Sequence, residues 1–486
     1  MKIAVDLFCG AGGMSEGILQ AGFHIAFSSD RSSEVALTYK NRHEQLGLIQ
    51  GENTWFEQKD IRDLTGDFIL TKIRNLKMCK RGRQAKALRK RFKGDNPIDV
   101  IFGGPPCQGF SRSGKRDPND PRNFLFREYL RIIDELKPRY VVMENVEGML
   151  DMKIFITGLR GTRYENILVP DILRSELNNI GYEVLEPRLM DASDYGVPQS
   201  RKRVIFIAYL KGENKPQYPI PTHDEENKVT VLDAIGDLII DDNIRRDTNP
   251  NLTEYQQISR IGRTKNINKK QTLSIENDII TNCETSNHTQ VVSERFSLYN
   301  EGEDANALRK RIKREGINIR GKNSLINYVE NEIEKLAVNT NIDIPVEVAM
   351  TIDEVLNDRD FIIESLEQPN CPDEIINALL TKKNSRTRLD RNRPSLTVLT
   401  IPDDYISPFE NRTFTVRELA RMQSFDDSFE FLGKRTTGGQ RRQEEVPQYT
   451  QVGNAVPPLL AKAIALEIKK SLLMQRKCKR NNRCKK

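Results

Sequence analysis

A cysteine that follows two prolines has the setting in this chain that most favours chemistry. Cys107 stands in GGPPCQGFS at 103 to 111, directly after an apolar run, 98 to 102, that predicts a short buried strand. A lone cysteine is more often a small buried hydrophobe. Here Pro105 and Pro106 fix the backbone while the glycines admit a ligand closely, and loops at strand ends of an open α/β sheet collect catalytic groups. We therefore predict a nucleophilic thiol.

A carboxylate occupies the equivalent place on a second predicted strand. Glu144 directly follows the apolar run 140 to 143, so it should project from the same sheet edge as Cys107. Partial burial there raises a carboxyl pKa, as acid–base chemistry requires. The alternative is that Glu144 caps the segment that follows.

Three polar residues alternate further along the chain. Gln199, Arg201 and Arg203 lie in QSRKR, just before an apolar strand at 204 to 208. Spacing of two predicts that they share one strand face, where they could hold a phosphate or a base. The alternative is the polar start of a strand.

A glycine-rich turn and two carboxylates indicate a nucleotide-like ligand. The first predicted strand ends in DLFCGAGG, which places Gly10 and Gly12 in a tight turn before a helix. Asp30 follows the second strand, where a carboxylate can accept ribose hydroxyls or cap a helix. Asp60 follows a third extended segment, where it could bind an adenine amino group or merely end a strand. Together they predict an adenosine-containing cofactor.

The elements that must position these residues alternate between strand and helix patterns over the first 210 residues, which predicts a doubly wound α/β domain. The predicted strands are 2 to 7, 24 to 28, 98 to 102 and 139 to 143, followed by an antiparallel finish at 182 to 189 and 203 to 209. The predicted helices are 13 to 21, 32 to 42, 123 to 136, 166 to 180, 415 to 423 and 456 to 471.

Composition shifts divide the chain. We predict a catalytic and cofactor-binding domain at 1–223, a smaller domain at 224–395, a return segment at 396–475 that packs back on the first domain, and a basic tail at 476–486.

The 486 residues are 37% hydrophobic and contain no apolar run as long as a membrane span. Seven scattered cysteines form no metal-ligand spacing, predict no metal site and favour a reducing cytoplasm. The net charge of +7 suits a polyanionic partner. No acidic residue lies between Phe68 and Gly94, a segment crowded with lysine and arginine, and we predict that this segment contacts the phosphates of a nucleic acid; the alternative is a solvated face.

Six motifs, taken in order, carry a resemblance to a known family. DLFCGAGG, GGPPCQGFS, ENVEG, QSRKR, RELARMQSF and QVGNAVPP resemble the signature motifs of the cytosine-5 DNA methyltransferases, here of the bacterial restriction–modification type. The resemblance covers 1 to 210 and 394 to 473, and it implies that 224–395 is a target recognition domain. The implied fold is the Rossmann-like sheet of S-adenosylmethionine-dependent methyltransferases, with antiparallel last strands.

The resemblance implies the activity and its residues. The methyl group of S-adenosylmethionine would pass to carbon 5 of a flipped cytosine in a specific short duplex sequence, through a covalent bond between Cys107 and carbon 6. Glu144, Arg201 and Arg203 would complete the catalytic set, and Gln199, Gln108 and Ser111 would bind the substrate. The implied cofactor contacts are Phe8, Gly10, Gly12, Asp30, Asp60, Ile61, Pro105, Leu125, Asn454, Ala455 and Val456.

The implied partners are double-stranded DNA and a cognate restriction endonuclease as a genetic partner. We expect a cytoplasmic monomer that associates with the nucleoid through DNA, and no membrane. Two alternatives remain: a tRNA cytosine-5 methyltransferase, although its distinctive Cys-Phe-Thr element is absent, and a catalytically inactive DNA-binding regulator, although every catalytic position is intact. A nicotinamide oxidoreductase is disfavoured because the G-x-G-x-x-G pattern is missing.

Overall fold

The computed structural model describes residues 1–81, 85–94, 97–106, 109–110, 117, 120–269, 271–276, 279–338, 346–380, 386–439, 441 and 444–483. The strands of the described part are β1 (Ile3–Leu7), β2 (His24–Asp30), β3 (Trp55–Gln58), β4 (Val100–Gly103), β5 (Tyr140–Val146), β6 (Lys153–Thr157), β7 (Arg163–Leu168), β8 (Tyr182–Val184), β9 (Arg188–Asp191), β10 (Lys202–Leu210), β11 (Thr387–Arg388) and β12 (Tyr405–Ile406).

The helices of the first 210 residues are α1 (Gly13–Gln20), α2 (Ser33–Gln45), α3 (Gly66–Asn75), α4 (Lys77–Lys80), α5 (Ala85–Lys93), α6 (Leu125–Leu136) and α7 (Val169–Asn179). Those of the remaining chain are α8 (Val231–Ile235), α9 (Asp242–Thr248), α10 (Glu254–Ile261), α11 (Gln290–Phe296), α12 (Ala305–Glu315), α13 (Asn323–Val338), α14 (Val346–Asn357), α15 (Asp360–Glu367), α16 (Asp373–Leu379), α17 (Val416–Met422), α18 (Gln448–Asn454) and α19 (Pro458–Arg483).

Eight strands form one sheet in the order β3-β2-β1-β4-β5-β10-β8, with β9 also paired to β10. The strands from β1 to β5 run parallel, and β10 is antiparallel to β5, β8 and β9. This arrangement confirms the doubly wound sheet with an antiparallel finish. The carboxyl ends of the five parallel strands therefore meet at one edge, called here the carboxyl edge, and their starts meet at the opposite, amino edge.

Two details differ from the sequence-based expectation. The single strand expected at 182 to 189 is two strands, β8 and β9, which pair with different parts of β10. The helix expected from 166 begins at Val169, because the residues before it form β7, which pairs with β6 as a separate hairpin. Residues 163 to 168 include tyrosine, isoleucine and leucine, which suit a strand as well as a helix, so the pattern was ambiguous.

Helices cover both faces of the sheet. On one face β1 contributes Ile3, Val5 and Leu7 to a core shared with α3, α5, α6 and α7. On the other face Ala4 joins a core shared with α1 and α19. The alternation follows from the period of two along a strand buried on both sides. The last helix, α19, therefore lies on the sheet near the first strand.

Glycines bring α1 and α19 into close contact. A Cβ atom on Gly17 would lie 2.5 Å from both the amide nitrogen of Lys462 and the carbonyl oxygen of Pro458. Because these are backbone atoms, they cannot move aside as a flexible side chain would. No helix in the described part of the chain is both long and apolar enough to cross a membrane.

The remaining chain divides between two further cores. One joins α8 and α10 to residues 389–455, including Val231, Tyr255, Phe414 and Phe425. The other lies among α11 to α16 and includes Leu308, Ile333 and Ile376. The predicted boundary at 224 therefore does not separate two cores, because the chain just after it packs with the return segment.

Replacing Gly17 with alanine should lower the free energy of unfolding by about 2 kcal/mol, since overpacking costs about 1–3 kcal/mol. Helix propensity alone would instead raise the free energy of unfolding by about 1 kcal/mol, because alanine favours a helix more than glycine does. Urea unfolding of Gly17→Ala measures the change. Gly94→Ala is the control, because its Cβ would meet nothing closer than 3.6 Å. Equal stability of the two variants would show that α19 moves enough to accommodate the added methyl group.

Candidate active site

The glycine turn after β1 leads into the start of α1. Phe8, Gly10 and Gly12 have positive φ angles of 57°, 54° and 106°. Left-handed backbone at three of five consecutive positions reverses the chain tightly, and the Gly12 amide donates to the carbonyl of Cys9 within the turn. Gly12 precedes the first turn of α1 with no side-chain cap, so the start of this helix suits an anionic or polar ligand.

Asp30, at the end of β2, is tied to this turn. Its Oδ2 accepts a hydrogen bond from the amide of Gly10 at 3.0 Å, and its Oδ1 accepts one from the amide of Ser32 at 3.0 Å. Burial raises the pKa of Asp30. The helix-cap alternative for Asp30 is wrong, because Ser32 caps α2 by accepting from the amide of Val35.

A buried carboxylate that the sequence analysis did not single out lies at the end of β1. Asp6 accepts a hydrogen bond on Oδ2 from the Ser15 hydroxyl at 2.5 Å, while its Oδ1 has no partner among the described residues. Burial raises the pKa of Asp6 to about 7. An unpartnered buried carboxylate oxygen of this kind is a place where a cationic ligand would be stabilised.

Asp60 and Ile61 lie beyond β3 at the same edge. Asp60 begins a short turn of helix and forms an ion pair with Arg62 at 2.8 Å, and hydrogen bonding to that guanidinium lowers the pKa of Asp60. Arg131 of α6 donates to the carbonyl of Ile61 at 3.0 Å. This bond holds α6, which begins at the half-buried Leu125, beside the Asp60 turn.

Residues 454 to 456 of the QVGNAVPP motif pack against the glycine turn. Ala455 and Val456 are buried, whereas Asn454 is exposed. A Cβ on Gly13 would lie 2.4 Å from the carbonyl oxygen of Val456, so only glycine permits this approach. The structure thus brings residues 454 to 456 to the first turn of α1.

Glu144 and Arg203 form an ion pair beside the loop that leads to the cysteine. The distance from Glu144 Oε1 to Arg203 Nε is 2.9 Å, and both side chains are largely buried. The neighbouring Asn145 donates to the carbonyl of Pro105 at 3.2 Å, which fixes the loop on β5. Asn145 was missed as a site residue, although it stands in the ENVEG motif. Cys107, Gln108 and Ser111 lie outside the described residues.

Gln199 and Arg201 are placed differently from Arg203. The strand β10 begins at Lys202, so the three side chains do not share a strand face. Gln199 donates to the carbonyl of Met422 and accepts from the amide of Val398, and Arg201 donates to the carbonyls of Val398 and Gly453. Both side chains are buried, and these bonds join the catalytic sheet to the return segment.

The RELARMQSF motif also acts through buried charge. Arg421 lies between Asp237 and Asp427, with N–O distances of 2.5 and 2.8 Å. Arg417 donates to the carbonyls of Asp426 and Phe429. The motif therefore holds the return segment against the chain that follows α8. In the described part of the chain, no group of three or more histidine, cysteine, aspartate or glutamate residues could hold a metal ion.

A family model for the C-5 cytosine-specific DNA methylases matches residues 2–71 and 75–470. The chain belongs to this family. The Type II methyltransferase M.DdeI of Desulfomicrobium norvegicum is 29% identical over 468 residues, which cover 96% of this chain and 88% of that protein. The Type II methyltransferase M1.HphI of Haemophilus parahaemolyticus is 30% identical over 464 residues, which cover 95% of this chain and 85% of that protein.

The methyltransferase also resembles a solved structure in fold. A crystal structure from E. coli, of a prophage-encoded protein assigned as a DNA modification methyltransferase, superposes with a TM-score of 0.57 at 22% identity and covers 97% of this chain and 99% of that one. The protein is a DNA cytosine-5 methyltransferase of the restriction–modification type with the fold expected of one. The prediction from the six motifs is confirmed at this level.

Replacing Arg201 with methionine should lower the free energy of unfolding by about 3 kcal/mol, because two buried carbonyls lose a charged donor. Urea unfolding tests this, with the exposed neighbour Lys202→Met as the matched control. Unchanged stability together with weakened DNA binding would instead place Arg201 in contact with DNA, as the family resemblance implied.

Proposed function

We propose that Cys107 is the nucleophile of this methyltransferase and that Glu144 and Arg203 act on the same cytosine. The observation that carries the proposal is the pairing of Glu144 with Arg203 beside the loop that Asn145 holds through Pro105. A Cβ on Gly104 would lie 3.2 Å from Glu144 Oε2, so the chain passes close to the carboxylate three residues before the thiol.

The chemistry needs both groups. Carbon 5 of cytosine is a poor nucleophile, and a thiolate bond to carbon 6 converts the ring into an enamine. The protonated carboxyl group of Glu144 would donate its proton to ring nitrogen 3 as negative charge develops there, and Arg203 would hold the resulting carboxylate in place. After the methyl group has been added, loss of the carbon 5 proton and elimination of the thiolate restore the aromatic ring and the free enzyme. The base must leave the duplex to reach these groups.

The methyl donor we propose is S-adenosylmethionine, which supplies a methyl group on a sulfonium. The turn at Gly10 and Gly12 would lie against it, with Phe8 and Asp60–Ile61 at the adenine and Asp30 at the ribose. Pro105, Leu125 and Asn454 to Val456 would complete the pocket. Two observations fit such a ligand: the left-handed turn has no side-chain cap, and Asp6 keeps one buried oxygen without a described partner. A carboxylate-lined pocket suits a cation.

The biological role we propose is protection of DNA from a cognate restriction endonuclease, because both Type II relatives match nearly all of this chain. The recognised sequence would be read mainly by the region 224–395. We further propose that the enzyme works as a monomer on chromosomal DNA in the cytoplasm.

Expression of the chain in a host without its own cytosine-5 methylation should leave cytosines in one short recurring sequence resistant to bisulfite conversion. Cys107→Ala should abolish this resistance, because no other group supplies the covalent step. Cys283→Ala is the control, since it removes an exposed thiol away from the site. Equal methylation by the Cys107→Ala variant would show that Cys107 is not the nucleophile. Bisulfite conversion of every cytosine, with the unchanged chain and both variants soluble, would show that the proposed activity is wrong.

Glu144→Gln should lower the single-turnover methylation rate by about 10²-fold or more, the usual effect of removing a positioned acid–base group, while duplex affinity changes little. Rapid-quench kinetics and a binding titration on the same duplex separate the two quantities. A parallel fall in rate and affinity would reassign Glu144 to binding of the base.

A further inference from the structure

An unpaired cationic surface covers the outer face of α4 and α5. The chain from 68 to 94 contains eleven lysines and arginines and no acidic residue. Six of them are exposed and form no ion pair with any described residue; we call them the amino-edge basic surface: Lys80, Arg81, Lys86, Arg89, Lys90 and Lys93. Lys265, also exposed, lies across an adjoining cleft of about 710 Å³ whose lining includes Arg81 and Lys265.

The helix that presents this surface is firmly anchored. Leu88 and Phe92 are buried in the core beneath the sheet. Arg91 pairs with Asp99 at 2.7 Å and donates to the carbonyl of Met1, and Arg74 donates to the carbonyl of Phe92. Some basic residues of the segment therefore hold it in place, and four of the six exposed ones, Lys86, Arg89, Lys90 and Lys93, lie on this fixed helix.

This surface lies away from the active site. The partners of α5, Met1 and Asp99, stand at the starts of β1 and β4, which form the amino edge. The cleft beside it is lined by Gly22, His24 and Asn53, which also precede strands. The glycine turn, Asp30 and Glu144 stand at the carboxyl edge. The five residues of β1 separate the two edges by about 16 Å.

We propose that the amino-edge basic surface binds the phosphodiester backbone of a second stretch of DNA, outside the duplex segment that holds the target cytosine. This proposal rests on the DNA methyltransferase activity. Charge complementarity selects the occupant: six exposed lysines and arginines that form no ion pair with a described residue fit a polyanion, and the substrate of this enzyme is one. Contacts of this kind carry no sequence information.

The test compares short and long DNA. Lys86, Arg89, Lys90 and Lys93 are changed together to glutamine, and the control variant carries Lys153→Gln, Arg160→Gln, Arg163→Gln and Lys211→Gln, four exposed cations elsewhere that give the same loss of charge. Each protein is titrated with a duplex of about 12 base pairs and with DNA of about 2,000 base pairs, long enough to bend back on itself given a persistence length of about 150 base pairs.

The amino-edge variant should bind long DNA with a salt slope shallower by about 3 to 4, since each lost phosphate contact removes about 0.9 from the slope. Its affinity and methylation rate on the short duplex should match those of wild type, and the control variant should match wild type throughout. If the amino-edge variant lost affinity equally for short and long DNA, the surface would belong to the site that binds the target duplex. If its affinity changed for neither, the surface would be a solvated face. Both outcomes overturn the proposal. Absence of methylation by wild type would contradict the activity itself, while the salt slopes would still report on this surface.

Discussion

Buried ion pairs between arginine and carboxylate join the segments that form the active site. Arg421 bridges Asp237 and Asp427, and Arg263 of the region 224–395 pairs with Asp426 at 2.6 Å. Arg42 pairs with Glu16 of α1, which also accepts from Thr264. Every such ion must be fully hydrogen-bonded to offset its desolvation, and loss of one partner costs about 3–5 kcal/mol, a large part of a typical net stability of about 5–15 kcal/mol. Because the Arg421–Asp237 and Arg263–Asp426 pairs connect residues more than a hundred positions apart, the pocket forms only when the catalytic sheet, the region 224–395 and the return segment have come together.

The need for these buried ion pairs explains why motifs without an obvious chemical role contain arginine. The RELARMQSF arginines are fully buried and do not point to a ligand in the described structure; they hold the return segment against the chain that follows α8. Gln199 and Arg201 bind the return segment from the chain just before β10, through Val398 and Gly453. Arg203, two residues after Arg201, is the residue of that run that pairs with Glu144, the carboxylate proposed to act on the base. A mutation in either group would lower activity, but for different reasons, one through stability and one through chemistry.

The sequence was sufficient for elements with a clear period and for residues at strand ends. The parallel strands, the antiparallel finish and the return of α19 were predicted because buried strands and amphipathic helices leave regular patterns. The sequence did not show that Arg201 and Arg203 have different partners, because a spacing of two residues is the same whether an arginine contacts a base or a buried carbonyl. It also missed the β6–β7 hairpin and Asp6, because short polar strands lack a strong pattern and the burial of a carboxylate depends on partners such as Ser15 and Tyr39. The sites of cofactor and base stay predictions at the level of single residues.

The two edges of the sheet differ in their charged groups, and this difference bears on what each can attract. At the carboxyl edge Asp60 and Glu144 are paired with Arg62 and Arg203, while the buried Asp6 and Asp30, where ionised, favour a cationic ligand and repel a phosphate backbone. Exposed cations at the amino edge do not offset that repulsion, because the edges are about 16 Å apart and charges are screened over about 8 Å at physiological salt. In the function proposed above, attraction of the target duplex therefore comes from groups on its own side of the sheet and from the region 224–395. The amino edge attracts DNA independently, and only a chain long enough to bend around the protein meets both edges at once. Charge placement thus separates the capture of DNA from the selection of the base.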